Sequence, residues 1–359
     1  MQTAIPCMQI RGGTSKGVYF LEQDLPPEGA LRDHVLLAVM GSPDRRQIDG
    51  LGGGTSLTSK VAIVSPSSHP MADVDYLFAQ VVVDDAHVDY GQNCGNILAG
   101  VAPFALESGL IDAHTPTTSV RVHMVNSGQL ATIDVATPNG KIEYQGTTHI
   151  SGVPGEAAAL TVYFEDTAGA NCGALMPTGH VRDRLAETDV TCIDNGMPVV
   201  LIRAEDLGIS GHESPQDLER NDTLRARLEA IRLEAGPVMN LGNVKARTVP
   251  KLSIIAPATG SGTLTTRTFI PHRCHEAIGV LGAVSVASAC LIEGSVAASY
   301  FDAPPSGRAE ISIEHPTGDF TVSLMTNDQG QIEQSGVIRT ARLLSKGHVY
   351  IPSAVWPGV

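Results

Sequence analysis

The sequence predicts a strand-rich α+β protein made of two like-folded halves, and three observations carry that reading. Short runs rich in Val, Ile and Thr recur along the whole chain between Gly- and Pro-rich turns. Helical segments are few and fall between those runs. Three sequence blocks appear in the same order in both halves at nearly equal spacing. With 359 residues, 42% of them hydrophobic, the chain is long enough for about two domains, each with a core.

In chain order, the first half opens with a strand over 17–21 and a helix over 30–41, then strands over 61–64 and 75–83. A helix over 96–108, stopped by Gly109, precedes strands over 120–125, 131–135 and 160–164. The second half carries strands over 198–203, 252–255, 263–270, 309–313 and 321–325. Ser214-Pro215 starts a helix over 215–235 whose Leu224, Leu228 and Ile231 share one face, with Gly236 as its stop. The last helix, over 275–291, is rich in Ala, Val and Gly and almost free of charge, which predicts a buried, central position.

The repeat is read from aligned blocks. Gly17-Val-Tyr-Phe-Leu-Glu-Gln-Asp-Leu25 matches Pro198-Val-Val-Leu-Ile-Arg-Ala-Glu-Asp-Leu207 with one inserted residue. Ser59-Lys-Val-Ala-Ile-Val-Ser-Pro66 matches Pro250-Lys-Leu-Ser-Ile-Ile-Ala-Pro257. A strand-like stretch ending in Cys94 precedes one central helix, as a stretch ending in Cys274 precedes the other. From Leu25 to Cys94 is 69 residues and from Leu207 to Cys274 is 67, a period too long for a solenoid, so gene duplication is the economical account.

Composition removes several classes of function. The 24 Lys+Arg against 38 Asp+Glu leave a net charge of −14, which argues against nucleic acid as a partner because phosphate contacts need clustered cations. No apolar run reaches the roughly 18–20 residues of a membrane span. Met1–Arg11 lacks the order of a signal peptide, so a cytoplasmic location is the expectation. The six cysteines are scattered, without CxxC, and are expected as free thiols.

Several polar clusters stand out. In Asn93-Cys94-Gly95-Asn96 a thiol opens a helix, where the first amides stabilise anions and lower a thiol pKa; a structural Cys is the plainer alternative. Arg11-Gly12-Gly13-Thr14-Ser15-Lys16-Gly17 combines a guanidinium fork, hydroxyls and a flexible backbone, and reads as an anion nest or as a surface turn. The loop Gly50–Lys60 is neither a P-loop nor G-x-G-x-x-G, but its Gly54, Thr55 and Ser56 offer a second anion cradle. Lys60 enters the apolar strand Val61–Val64, where desolvation makes a lysine a useful base; an exposed edge Lys is the alternative. In Pro271–Glu276, His272 and His275 lack a distant ligand set, so no metal is expected; anion binding or proton transfer by His272, Arg273 or Cys274 is. Asp194-Asn195-Gly196-Met197-Pro198 is the repeat counterpart of the Arg11–Gly17 loop.

Cys-Gly-Asn opening a central helix in a duplicated chain resembles the diaminopimelate epimerase superfamily. The Arg11–Gly17 motif, the Gly-rich loop ending in Ser59-Lys60 and the 34-residue step from Lys60 to Cys94 are similar to the PrpF-type isomerases within it, over nearly the whole chain. The resemblance implies two domains, each a β-sheet wrapped around a central helix, with the active site between them. The boundaries expected are 1–117, with 337–359 returning to that domain, and 118–336. It also implies proton transfer beside a carboxylate without a cofactor, with Lys60 and Cys94 in the site; Cys274 matches the second thiol of the epimerases by the repeat. Either Lys60 or Cys94 is the base. Arg11, Thr14, Ser15, the Gly54–Ser56 loop, Asn93, Gly95, Asn96, Asn195, Met197, His272, Arg273 and His275 are the expected substrate contacts. The reaction expected is keto–enol tautomerisation of an unsaturated oxo-tricarboxylate. An allylic proton shift on aconitate or methylitaconate is the alternative, and carboxylate binding without catalysis is a third reading. The partner expected is that small tricarboxylate, with a homodimer as the candidate assembly.

Overall fold

The computed structural model describes residues 1–91, 93–165 and 167–358; Gln92, beside Asn93, and Val359, at the end of the return segment, lie outside them. The chain divides into two compact units, Met1–Tyr163 with Ile338–Val359, and Phe164–Val337. The first contains β1 (Gln2–Gly12), β2 (Ser15–Leu21), α1 (Ala30–Met40), β3 (Lys60–Pro66), β4 (Val74–Val81), β5 (Val88–Asp89), α2 (Gly95–Leu98), α3 (Val101–Ser108), β6 (Thr117–Met124), β7 (Gln129–Ala136) and β8 (Leu160–Phe164). The second contains β9 (Asp183–Leu185), β10 (Thr188–Asp194), β11 (Pro198–Arg203), α4 (Pro215–Arg220), α5 (Asp222–Val238), β12 (Lys251–Pro257), β13 (Leu264–Phe269), α6 (Val280–Leu291), β14 (Gly307–His315), β15 (Gly318–Thr326) and β16 (Ile332–Arg339) up to Val337, the last two residues of β16 belonging to the first unit. The chain then ends in β17 (Ala341–Pro352).

Both units repeat one topology. In the first, β1 and β2 form a hairpin, β2 runs parallel to β3, β3 is antiparallel to β4, β4 runs parallel to β6, and β6–β7 is a hairpin. In the second, β10–β11, β12, β13 and the β14–β15 hairpin follow the same sequence of pairings. The matched lysines occupy equivalent register positions: Gly17 stands opposite Lys60, and Val199 opposite Lys251. The unit boundary falls at Tyr163/Phe164 rather than at 117/118, because β6 extends the first sheet beside β4 and carries β7 with it. β17 pairs with β1 from Gln2↔Pro352 to Gly12↔Ala341.

Each sheet separates two apolar layers, as alternation of side chains demands. In the first unit Val18, Phe20, Val61, Ile63, Ala79 and Val81 face α1, whose Val35, Leu36, Val39 and Met40 complete that cluster. The opposite face meets α2. Here glycines let backbone approach backbone: a Cβ on Gly12 would stand 2.3 Å from the carbonyl oxygen of Asn96, and one on Gly17 2.9 Å from Ile97 Cδ1. In the second unit α4 and α5 pack on one face through Leu218, Leu224, Leu228 and Ile231, while α6 is buried from Gly282 to Cys290 against the other.

Three helices differ from the sequence expectation. The run over 96–108 begins one residue earlier and its α-type bonding breaks at Ala99-Gly100, where Pro103 has no N–H to offer the Ala99 carbonyl. The run over 215–235 is two helices, because the Asn221 side chain caps a new start by accepting from the Leu224 amide at 3.0 Å. The final helix starts at Val280 rather than His275: the His275 amide donates to Thr268 O at 2.8 Å, which holds this segment against β13. Among the described residues no helix is long and apolar enough to cross a membrane.

Gly12→Ala tests the close approach. The atom it meets is helix backbone, so the neighbour cannot rotate away, and the cost is about 1–3 kcal/mol of stability. A urea midpoint equal to that of the parent would show that the helix is not pressed onto the sheet there.

Candidate active site

Lys60 opens β3 at only 8% exposure. Its Nζ donates to Gln80 Oε1 at 2.7 Å and stands 5.0 Å from the centre of the Phe78 ring. Gln80 is the β4 residue opposite Lys60, and Phe78 is opposite Ala62, so these side chains leave the sheet on the α2 face. Lys60 forms no ion pair among the described residues, unlike Lys346, which reaches Glu107 at 3.8 Å. Gln80 is pinned in turn: its Nε2 donates to Ser59 O at 2.8 Å and to Ser56 O at 3.2 Å.

Cys94 caps α2 from an extended conformation, and its carbonyl accepts from the Leu98 amide at 2.9 Å and from Tyr76 Oη at 3.3 Å. The amides of Gly95, Asn96 and Ile97 precede that first intrahelical bond and have no helical acceptor. Tyr19, on the inner face of β2, donates to Ile97 O at 2.6 Å. Burial, reinforced by the charge of Cys94, holds both Tyr19 and Tyr76 well above the usual phenol range, so both stay protonated donors. Arg339 is buried nearby; burial brings its guanidinium down to about 10, with Cys94 opposing the shift, so it carries its charge at neutral pH.

The Arg11–Gly17 motif is the turn that joins β1 to β2. Thr14 and Asn96 are tied together, Asn96 Nδ2 donating to Thr14 Oγ1 at 3.1 Å. Ser15 is 1% exposed and its Oγ has no hydrogen-bond partner, an exception among buried polar atoms. Asn93 Oδ1 is likewise unpartnered, while its Nδ2 donates to Ser127 Oγ at 2.5 Å. Arg11 behaves otherwise than expected. It pairs with Lys16, on the face opposite Ser15 and Gly17, and its Nη1 is spent on Gly13 O, Thr340 O and Thr340 Oγ1. The Gly54–Ser56 loop is fixed by Gln47, whose Oε1 accepts from the Gly54 amide at 2.9 Å; with Gln80, Arg45 and Asp84 it lines a cavity of about 420 Å³.

The second unit uses its equivalent positions differently. Asn195 is 1% exposed and fully engaged: Oδ1 accepts from Thr167 at 2.5 Å, and Nδ2 donates to Ser288 and Ser335 at 2.8 and 2.9 Å. Met197 offers its carbonyl to Ser285 Oγ at 2.7 Å. These contacts brace α6 and leave Asn195 no free donor for a substrate. Cys274 is not at a helix start. It sits 6% exposed in the cluster under α4 and α5, with its amide donating to Glu219 Oε1 at 3.0 Å. His272 lies 3.8 Å from Glu229, the exposed Arg273 gives its carbonyl to the Ile270 amide, and His275 Nδ1 accepts from the Ala277 amide at 2.8 Å. Among the described residues no three His, Cys, Asp or Glu converge as a metal set.

The geometry thus brings Lys60, Cys94, Thr14, Ser15, Gly95 and Asn96 to one layer of the first unit. Gln80, Tyr19, Tyr76 and Arg339 join them without having been marked in the sequence. Gln80 has a findable signal, since pairing the strands over 61–64 and 75–83 places it beside Lys60. Arg339 has none, being far away in the chain and outside any motif.

Two units of one topology, each laying a sheet against a central helix, with a buried lysine and a thiol on that face in the first, define a diaminopimelate epimerase-like protein. The chain belongs to the PrpF family, whose model, described as PrpF protein, matches residues 2–352. A Pseudomonas putida relative, 4-oxalomesaconate tautomerase, is 60% identical over 357 residues, covering 99% of each chain. A Novosphingobium protein, (4E)-oxalomesaconate Delta-isomerase, is 54% identical over 96% of this chain and 97% of its own. The crystal structure of a methylitaconate-delta-isomerase superposes with a TM-score of 0.88 at 36% identity, covering 99% of this chain and 97% of that one.

The thiols differ in a way alkylation can read. Burial pushes Cys274 up to about 11 and Cys290 up to about 12, and burial with Asp194 does the same to Cys172, up to about 12. Cys7 and Cys192 are raised too, again mainly by burial. At pH 8 such thiols are almost wholly protonated and unreactive. Brief iodoacetamide treatment followed by peptide mass spectrometry is expected to label Cys94 first. Faster labelling of Cys274 or Cys290 would contradict this placement.

Proposed function

We propose that the chain is a 4-oxalomesaconate tautomerase, interconverting 4-oxalomesaconate and 4-carboxy-2-hydroxymuconate by acid–base proton transfer in gallate or protocatechuate degradation. The observation that carries this reading is the 60% identity, over 99% of both chains, to a protein of that name. The reaction moves one proton from the methylene beside the ketone to the ketone oxygen. No electrons are gained or lost, so no redox cofactor is required.

Lys60 takes the methylene proton. Its amine is buried, held by the Gln80 carbonyl oxygen at 2.7 Å and by the Phe78 ring, and no carboxylate among the described residues is paired with it. Cys94 is the second acid–base group of the layer and returns a proton to the developing enol. The orphan hydroxyl of Ser15, the Thr14–Asn96 pair, the free amides of Gly95 to Ile97 and the Arg339 guanidinium receive carboxylates. Cys274 has no role in this scheme.

A second reading is favoured by the relative at 54% identity. A Delta-isomerase of the same substrate removes the same proton and forms the same conjugated dienolate, but returns the proton to the distal carbon. Proton NMR of the product separates the two: an enol with no new methylene supports the tautomerase, and a displaced methylene supports the isomerase. Methylitaconate turned over in preference to oxalomesaconate would overturn both.

Lys60→Ala and Cys94→Ala are each expected to lower kcat about 10²–10⁴-fold, the usual contribution of a positioned acid or base. Ultraviolet detection of the conjugated product checks this. Turnover unchanged in either variant removes that residue from the mechanism, and tight binding without uptake of solvent deuterium would leave a carboxylate-binding protein.

A further inference from the structure

We infer that Gln80 is the positioning residue of the base: it holds Lys60 Nζ toward the α2 layer with a neutral acceptor, so that the lysine is fixed in place yet not locked as an ion pair. The inference rests on the reading of Lys60 as the base and deepens it.

The orientation of the Gln80 amide follows from its partners. Nε2 donates to Ser59 O at 2.8 Å and Ser56 O at 3.2 Å, and Oε1 faces Nζ at 2.7 Å. An ammonium has donors only and a carbonyl acceptors only, so the flipped amide would set N–H groups against N–H and oxygen against oxygen. Ser59 is itself buried and tied, its Oγ donating to Val81 O at 2.7 Å and accepting from Gln47 Nε2 at 2.7 Å. The chain of bonds from Gln47 through Ser59 and Gln80 therefore fixes where Nζ sits.

No carboxylate among the described residues forms an ion pair with Nζ. β2 presents Gly17 and Tyr19 on the shared face, and β4 presents Gln80, Phe78 and Tyr76. α2 brings Cys94 at its cap, and Arg339 lies near that thiol. The 54–59 loop carries no charge, and at the cavity mouth Arg45 and Asp84 face each other at 3.6 Å. Asp89, opposite Gln80 on β5, is occupied by the Gly91 amide at 2.8 Å. A carboxylate at position 80 would be the first anion in contact with Nζ.

Two variants separate position from charge. Gln80→Glu puts an anion against the ammonium and favours its charged form, so the acidic limb of the pH profile of kcat/KM is expected to move up by at least about one unit. Activity at pH 7 then falls about tenfold or more and recovers at high pH. Gln80→Leu removes the same loop bonds without adding charge; its kcat is expected to fall about tenfold or more, with KM within about threefold and no upward movement of the limb. Urea midpoints confirm that both variants are folded. A Gln80→Glu limb that overlays the parent, with Lys60→Ala inactive, overturns the role of Gln80 alone. Full turnover by Lys60→Ala removes the base and this inference with it.

Discussion

What the first unit can do depends on how closely α2 lies on its sheet. Gly12 and Gly17 admit the backbone of Asn96 and the side chain of Ile97 to distances that no Cβ would allow, and Tyr19 closes the contact by donating to Ile97 O. Because the helix is pressed down at that point, its cap, Cys94, and its first amides come level with the β1–β2 turn and with the start of β3. Thr14 then meets Asn96, and Lys60 lies on the face the helix covers. Larger residues at 12 or 17 would lift the helix and separate the thiol from the amine, though neither glycine touches either group.

Duplication supplied two copies of that scaffold, and they have diverged by how their polar groups are satisfied. In the first unit the turn between β1 and β2 leaves Ser15 Oγ and, beside α2, Asn93 Oδ1 without partners, an unfavourable arrangement in a purely structural turn. At the equivalent turn of the second unit, Asn195 spends both side-chain polar atoms and its amide on Thr167, Ser285, Ser288 and Ser335. A satisfied network rigidifies, whereas an unpaired buried polar group is costly. The same position in the fold thus braces the helix in one copy and leaves buried polar atoms unpartnered in the other.

The repeat and the buried central helix are legible because each rests on local pattern, block order in one case and composition in the other. The errors arose where tertiary bonding overrides pattern. Aligning Cys274 with Cys94 carried the helix start along with it, but the His275 amide bonds to β13 and delays α6 to Val280. Arg11 looked like a free fork, since nothing nearby shows that Thr340, from the far end of the chain, takes its Nη1. β1 and β17 escaped notice as strands because Pro6 and Gly347 interrupt their pattern, and only their mutual pairing defines them. Asn221 reads as one more polar residue of a long helix until its cap is seen.

The net charge of −14 is the remaining constraint, since it opposes a triply charged ligand over the molecule as a whole. Its reach is short: at physiological salt, exposed charges are screened within about 8 Å. On the inner face of β1 to β4 the register places Met8, Ile10, Gly12, Ser15, Gly17, Tyr19, Lys60, Ala62, Tyr76, Phe78 and Gln80, with no acid among them. Asp75, the nearest carboxylate of β4, points to the other face and is held by Ser67 and His123. Neutral donors, helix amides and one buried guanidinium therefore set the local potential. The same scarcity of acids leaves Lys60 without a carboxylate partner among the described residues, its Nζ bonded instead to the neutral Gln80.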